Sequence, residues 1–169
     1  MKNSCLNAAS LLLTTLLFAI PLTSNAAWQF HEGQSPPSVN GSASSMSGGM
    51  NLDLSCRGAD RIYSYGQIYM VLFDYSGNAI SRVDDDSMQI RIVFTNADGS
   101  PLRTFTEAFH YFAPDQAHVL SETAGSPMAD AWGAGSSMIF QSVSGEEVAR
   151  FDLTGTSRAR ERFRQVCGV

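Results

Sequence analysis

Two histidines occupy positions that could support metal chemistry. His110 and His118 flank a Pro114-Asp115 turn, and a hairpin whose paired residue numbers sum to 228 would set them directly opposite each other. Such a pair could bind a metal ion, with Glu107 or Asp115 as a third ligand. Because no recognised ligand motif supports this site, the alternative is two polar neighbours on the solvent face of a sheet. We therefore expect no bound metal and no other cofactor.

Four arginines near the end of the chain form the second candidate site, a partner-binding surface. Arg158, Arg160, Arg162 and Arg164 alternate with other residues, and Glu161 is the only acid among them. Like charges four residues apart repel mildly on a helix, and early arginines oppose the helix dipole. A cluster with this cost suggests binding to an acidic partner or to lipid head groups. The alternative is a solvated face that forms salt bridges with acidic loops.

Motifs of enzyme chemistry are missing from the sequence. It contains no G-x-S-x-G, H-E-x-x-H or C-x-x-C motif, and three histidines give hydrolase mechanisms few candidate bases. Asp84-Asp85-Asp86 and the Asp74-x-Ser76-x-Asn78 segment lack the spacing of a complete calcium loop and are expected to form turns. We therefore expect a protein that is not an enzyme.

The start of the chain has the pattern of a cleavable signal peptide over residues 1–26. Lys2 precedes a short apolar run, and small residues lead to a predicted cleavage site after Ala26. The apolar run is about half the length needed to span a bilayer, so no transmembrane segment is expected after cleavage. We expect a periplasmic or secreted protein.

The composition argues against one class of partner. Cleavage after Ala26 leaves 143 of the 169 residues, with ten arginines against sixteen acidic residues and a net charge of −6. This length suits a single domain. The acidic balance argues against nucleic acid as the main partner.

Two cysteines remain after cleavage, Cys56 and Cys167, and export would place them where disulfides persist. One bridge would close a loop of 111 residues, which the chain-entropy model values at about 4 to 5 kcal/mol. The alternatives are two unpaired buried thiols or a metal pair, and the lack of nearby histidines makes the metal pair a poor site. A disulfide is therefore the prediction.

The elements that must hold these residues are mostly strands, because apolar residues recur with a period of two between Met50 and Leu153. A return strand begins at Ile80, and a loop rich in Gly, Ala and Ser is expected over residues 123–135. The other predicted strands cover residues 50–56, 67–73, 88–95, 102–112, 117–122, 137–142 and 147–153.

These patterns predict a mainly β domain over residues 50–169, an antiparallel β-sandwich or small barrel of about seven strands. Residues 27–49 are rich in Ser, Gly and Pro and are expected to form a flexible lead-in, with an edge strand at residues 28–31. The period changes only after Gly155, where the spacing of Ala159, Phe163 and Cys167 predicts a short helix over residues 157–167. A bridge to Cys56 would pin this helix to the first core strand.

Aromatic residues offer a third candidate surface. An exposed subset would form a protein-binding patch, since tyrosine is frequent at interface hot spots. The alternative is that these rings form the core. The rings fall in two groups, Tyr63, Tyr65 and Tyr69 in one and Phe105, Phe109, Tyr111 and Phe112 in the other.

The two ends of the mature chain carry a family resemblance. A start at Trp28, the Leu52-Asp53-Leu54-Ser55-Cys56 strand and the Phe151-Asp152-Leu153-Thr154-Gly155 lead into a helix that ends at Cys167 resemble small periplasmic proteins of the VasI type, which are associated with type VI secretion. Other exported bacterial β-proteins, including the invasion-associated locus B group, share parts of this layout. The resemblance implies a periplasmic, non-enzymatic accessory or binding role with a disulfide.

Three functions are therefore open at this point. The first is an exported binding or accessory protein of the bacterial envelope, whose partner is another envelope or secreted protein and which is linked to a secretion system. The second is a periplasmic immunity protein or an inhibitor of a cell-wall or toxin enzyme. The third is a metal-assisted enzyme that uses His110 and His118.

Overall fold

A computed structural model describes residues 28–34, 37–57, 68–74, 87–120 and 125–168, and these form nine strands, two α-helices and one 3₁₀ turn. The signal peptide over residues 1–26, Tyr63, Tyr65, the return strand from Ile80 and the acidic run at residues 84–86 lie outside the described residues. The strands are β1 (Gln29–Gln34), β2 (Pro37–Ser44), β3 (Met50–Arg57), β4 (Tyr69–Asp74), β5 (Ser87–Thr95), β6 (Pro101–Phe112), β7 (Ala117–Leu120), β8 (Ser137–Gln141) and β9 (Glu147–Asp152). The helices are α1 (Ser126–Ala134) and α2 (Ser157–Cys167), and the 3₁₀ turn is Ala113–Asp115.

All nine described strands belong to one antiparallel sheet. Their order across the sheet is β1-β2-β3-β4-β7-β6-β5-β8-β9. The mainly β, antiparallel class and the C-terminal helix are confirmed, with nine strands rather than about seven. The choice between a sandwich and a barrel stays a prediction.

Alternation along the strands places the core as the period of two predicts. In β3, Leu52, Leu54 and Cys56 are fully buried, while the residues between them are half-buried. In β4 the even-numbered residues are buried and the odd-numbered ones are half-buried, which fits a central strand with apolar residues on both faces.

The first two strands correct the flexible lead-in predicted for residues 27–49. The edge strand expected at residues 28–31 is present, and it extends as β1 and pairs with β2. In β2, Val39 and Ala43 alternate with polar residues and are buried against the core, so a period of two lies within the Ser- and Gly-rich composition. A Cβ at Gly41 would lie 2.6 Å from the Phe30 ring, so glycine leaves the room that this ring occupies.

Helix α1 corrects the loop predicted over residues 123–135. A proline in its first turn fits the start of a helix, and Met128, Ala131 and Trp132 are buried at spacings of three and four. Nine residues of mostly small side chains give only a short helical pattern, and burial of Trp132 stabilises it. The composition of this segment, rich in small residues, is typical of a loop.

Helix α2 has the bounds that the sequence predicts. Ala159, Phe163 and Cys167 form its buried stripe. Gly168 closes the helix in the left-handed conformation with φ of 70°, and its N–H donates to the carbonyl of Arg164 at 2.9 Å. At the start, the Thr156 hydroxyl donates to the Leu153 carbonyl at 2.8 Å instead of capping a helix N–H.

Hydrogen bonds join the two ends of the sheet. The Trp28 indole Nε1 donates to the carbonyl of Asp152 at 2.6 Å, and the Met46 backbone N–H donates to the carbonyl of Arg150 at 2.8 Å. The first described residue therefore lies beside the end of the last strand. Helix α2, which follows that strand, packs on β2 and β3 next to β1.

Candidate functional site

A groove of about 520 Å³ lies between β1 and α2. Strand β1 contributes every second residue to its wall, because side chains of a strand alternate between faces. Helix α2 contributes residues one turn apart, because positions three and four apart share a helix face. We call this surface the β1–α2 groove. Its principal lining residues are Trp28, which directly precedes the first strand, Phe30 and Glu32 of that strand, and Arg158, Glu161 and Arg162 of the helix.

Aromatic rings form the apolar wall of the β1–α2 groove. Trp28 stacks on Phe30 with ring centroids 5.9 Å apart and an angle of 9° between the planes. The Trp28 ring also packs against the ring of Trp132 in α1, with centroids 5.9 Å apart. The hydrogen bond from the indole to Asp152 fixes the first ring in place. The groove therefore has a preformed apolar surface, which lowers the entropy cost of binding.

Charged groups of both signs line the rim. Arg162 Nε donates to Glu32 Oε2 at 2.9 Å, and these side chains are 44% and 51% exposed. An ion pair with this exposure contributes little to stability and can exchange its partners. Glu161 accepts a hydrogen bond from Gln165 at 3.3 Å. Arg158 is exposed and forms no ion pair with any residue that the structure describes.

The other two arginines lie away from the groove. Arg164 pairs with Asp130 of α1 at 3.2 Å, and the side chain of Arg160 lies against Gly133 of the same helix. The four predicted arginines therefore divide into a groove pair, Arg158 and Arg162, and a pair that contacts α1. Salt bridges, the alternative given by the sequence, involve one member of each pair.

The histidine pair predicted from the sequence is wrong. Strands β6 and β7 pair so that residue numbers sum to 229, which sets His110 opposite Val119 and His118 opposite Tyr111. The connection includes Gln116 in the left-handed conformation with φ of 52°, so the turn is one residue longer than the predicted hairpin requires. A shift of one residue moves a side chain to the other face of a sheet. The two histidines therefore lie on opposite faces.

His118 is an interior residue and not the solvent-facing neighbour that the alternative predicted. It is fully buried, and its ring lies 4.9 Å from that of Tyr111. Asp74, for which the sequence predicts a turn, is also fully buried and lies diagonally from His118 on the same face of β4 and β7. Continuing the period of two from Met70 through Leu72 would have indicated the burial of Asp74.

Metal binding by carboxylates, histidines and cysteines has no candidate cluster in the described ranges, where no group of three such residues could hold an ion. Likewise, neither described helix is long and apolar enough to cross a bilayer.

Cys56 and Cys167 lie at disulfide distance, as the sequence predicts. Their Cα atoms are 6.2 Å apart, and both residues are buried. The pair joins β3 to the last turn of α2. It therefore holds the helix that forms one wall of the β1–α2 groove.

The aromatic rings named from the sequence are mainly core residues in the described part of the chain. Phe109 and Tyr111 are buried, Tyr69 and Phe105 are half-buried, and Phe112 is 44% exposed. The sequence pattern assigns Trp28 and Phe30 only to an edge strand and does not predict that they line the groove. Their alternation with Gln29 was the available signal.

Among the described residues, two carboxyl groups have shifted pKa values. Burial raises the pKa of Asp53, which lies on the outer face of β3 beside β2. Hydrogen bonds from the Ser100 hydroxyl and backbone N–H lower the pKa of Asp98 in the β5–β6 turn. Neither group lines the β1–α2 groove, so its electrostatics depend on the arginine and glutamate side chains of its rim.

Comparison with known proteins adds no family to this description. No family model, curated protein or solved structure matches the chain.

Proposed function

We propose that this chain is an exported, non-enzymatic binding or accessory protein of the bacterial envelope, with another envelope or secreted protein as its partner. The proposed location is the periplasm, which the signal-peptide pattern over residues 1–26 supports. A link to a secretion system follows from the resemblance to proteins of the VasI type.

The β1–α2 groove is the observation that carries this proposal. Aromatic residues and arginine are enriched at the energetic centres of protein interfaces. Here Trp28 and Phe30 supply a fixed apolar wall, and Arg158 supplies an exposed charge beside it. A fixed wall next to such a charge suits recognition of a protein segment.

Site-specific photocrosslinking tests the proposal. A photoreactive amino acid replaces Gln165, an exposed residue that lines the groove, in the full-length protein expressed in its own cells. Exposed Ser144, in the β8–β9 turn, carries the same group in the matched control. We expect one defined envelope protein to crosslink from position 165 and not from position 144.

Binding of the purified partner then decides between the groove and chance proximity. We expect Phe30→Ala to weaken the purified complex by about tenfold or more, as a hot-spot residue would. Val143→Ala, an exposed apolar truncation in the β8–β9 turn, is the control and should leave affinity unchanged. No specific crosslink, or equal crosslinking from both positions, would count against the proposed function.

A further inference from the structure

Strand β1 has a free edge. It pairs with β2 on one side, and none of the described residues hydrogen-bonds its other side. Every second residue of such an edge directs its N–H and C=O outward, which makes a template for another strand. Neither proline nor lysine, the usual residues that block edge pairing, occurs in the QFHEGQ sequence of β1.

The edge of β1 that no described residue pairs with and the β1–α2 groove belong to the same strand. Trp28, Phe30 and Glu32 point into the groove, so they lie on the face of the sheet that α2 partly covers. Because a strand added beside β1 would continue the sheet, its alternate side chains would point into the same groove. Backbone pairing and side-chain recognition can therefore occur together.

Charge selects the kind of strand that fits. The charged residues that line the groove are two arginines, Arg158 and Arg162, and two glutamates, Glu32 and Glu161, so the partner is selected by which of these charges is unpaired and not by a net charge of the groove. Of the two arginines in the groove, Arg162 is neutralised by Glu32, whereas Arg158 has no ion-pair partner among the described residues. A carboxylate on the added strand would complement Arg158, and an apolar side chain on the same face would pack against Phe30.

We infer that the partner contributes an extended acidic peptide that adds a tenth strand at β1. This rests on the proposed function and specifies its mode of binding. On the peptide, an apolar residue and an acidic residue lie an even number of positions apart, so that both face the groove. Main-chain hydrogen bonds supply affinity, and the groove supplies specificity.

Synthetic peptides of about eight residues, the length of an ordinary strand, provide the probe. The test peptide alternates Leu and Glu on one face with Thr on the other, and the control peptide has Gln in place of Glu. Isothermal titration calorimetry with the disulfide-intact mature protein measures their affinities. We expect the Gln peptide to bind about tenfold more weakly, a loss of about 1.4 kcal/mol.

Variants of α2 assign the charge effect to one residue. Arg158→Glu should weaken binding of the acidic peptide by about tenfold or more. The fold should tolerate this change because an acidic residue in the first turn of a helix interacts favourably with the helix dipole. Arg164→Glu on the same helix is the matched control. It breaks the exposed pair with Asp130 and puts an acid in the last helical turn, which lowers stability slightly, but Arg164 does not line the groove, so affinity should stay unchanged.

Backbone pairing is tested with two N-methylated versions of the acidic peptide, one methylated at odd positions and one at even positions. Strand addition predicts that one version loses binding and the other keeps it, because only alternate N–H groups face β1. Equal binding of both versions, or no binding of the acidic peptide, would overturn the inference. A dimer of the protein that the peptide cannot disrupt would place a second copy at β1 and would also overturn it.

These outcomes separate the inference from the proposed function. A specific crosslink from position 165 combined with failure of the peptides would leave the groove as a protein-binding site and reject strand addition. Loss of the crosslink would reject the binding function itself.

Discussion

Asp53 shows how a single carboxyl group can oppose folding. Burial on the outer face of β3 raises its pKa, so the charged form is less stable in the folded protein than in the unfolded chain. Because the pKa of Asp53 is higher in the folded protein, ionising this carboxyl lowers the free energy of unfolding. The loss is absent below the unfolded-state pKa of 3.8 and is complete once the pH has risen above the folded-state pKa. At neutral pH the ionised Asp53 therefore lowers the free energy of unfolding.

Replacing Asp53 with Asn removes this cost while keeping the shape of the side chain. We expect Asp53→Asn to raise the melting temperature near neutral pH and to have little effect below about pH 3, where the wild-type carboxyl is mostly neutral in both states. Melting curves over a pH series measure the difference. A gain that persists unchanged in acid would contradict the assignment to charge burial.

Asp98 provides a control with the opposite sign. Hydrogen bonds from Ser100 lower its pKa, so the ionised form stabilises the folded state above the unfolded pKa, and this contribution disappears as pH falls. We expect Asp98→Asn to lower the melting temperature near neutral pH, with a difference that shrinks in acid. An increase in the melting temperature at neutral pH would be inconsistent with this geometry.

Sequence could assign most residues to a face but not those beyond an irregular turn. The period of two correctly buries Leu52, Leu54 and Cys56 because nothing interrupts β3. The predicted face of His118 is wrong because Gln116, in the turn before it, has a left-handed backbone conformation. Glutamine rarely adopts this conformation, so the sequence does not indicate it. One such residue changes the register, and the face of every following side chain changes with it.

At the scale of elements, α1 depends on one side chain. Trp132 is only 3% exposed and contacts Phe163 of α2 edge-on at 5.1 Å as well as Trp28 of the groove wall. A nine-residue helix is unstable by itself in water, so packing must stabilise it. Trp132 thereby couples α1 to α2 and to the apolar wall of the β1–α2 groove.

Truncation of Trp132 should therefore be costly, whereas a change to phenylalanine should be mild. We expect Trp132→Ala to lower the free energy of unfolding by about 3 to 5 kcal/mol through loss of burial and creation of a cavity. Trp132→Phe keeps most of the ring and removes an indole N–H that bonds to no group in the described part of the chain, so its cost should stay below about 1.5 kcal/mol.

Urea denaturation followed by circular dichroism measures both variants. Equal losses for alanine and phenylalanine would mean that the indole N–H contributes a hydrogen bond, contrary to the packing argument. A negligible loss for alanine would mean that α1 does not depend on this contact.

Elements differed in how far sequence could predict them. Helix α2 was predictable because its apolar stripe and the glycine that follows it both indicate a helix that ends at residue 167. The sequence of α1 is typical of a loop because small residues dominate it. Strands β1 and β2 were hidden by their Ser and Gly content. For that reason the groove itself could not be predicted, although Arg158 and Arg162, which line it, are among the four arginines that the sequence singles out.

At the scale of the molecule, three long-range connections hold the site together. The Trp28 indole donates a hydrogen bond to the carbonyl of Asp152, and the Met46 backbone N–H donates one to the carbonyl of Arg150. Cys56 lies at disulfide distance from Cys167. Each joins an early segment to a late one, so none follows from local periodicity. The cysteine pair was predictable because the residue type limits its possible partners.

Of these three connections, the bridge should contribute most to stability. With a separation of 111 residues, the chain-entropy model gives about 4 to 5 kcal/mol from restriction of the unfolded chain. We expect Cys167→Ser to lower the free energy of unfolding by about that amount at most, and by about 2 kcal/mol at least. The Cys56→Ser/Cys167→Ser double variant should lose a similar amount, because either change removes the whole bridge.

The location of the bridge predicts a second, local effect. Because Cys167 anchors the last turn of α2, Cys167→Ser should accelerate amide hydrogen exchange in that turn more than in β5 and β6. The affinity of the acidic peptide for the β1–α2 groove should also fall, since α2 forms one wall of the groove. Reduction of the wild-type protein should reproduce both changes, which separates loss of the bridge from the effect of serine. An unchanged melting temperature together with unchanged exchange in α2 would show that this pair does not hold the helix against the sheet, and the groove would then need another source of rigidity.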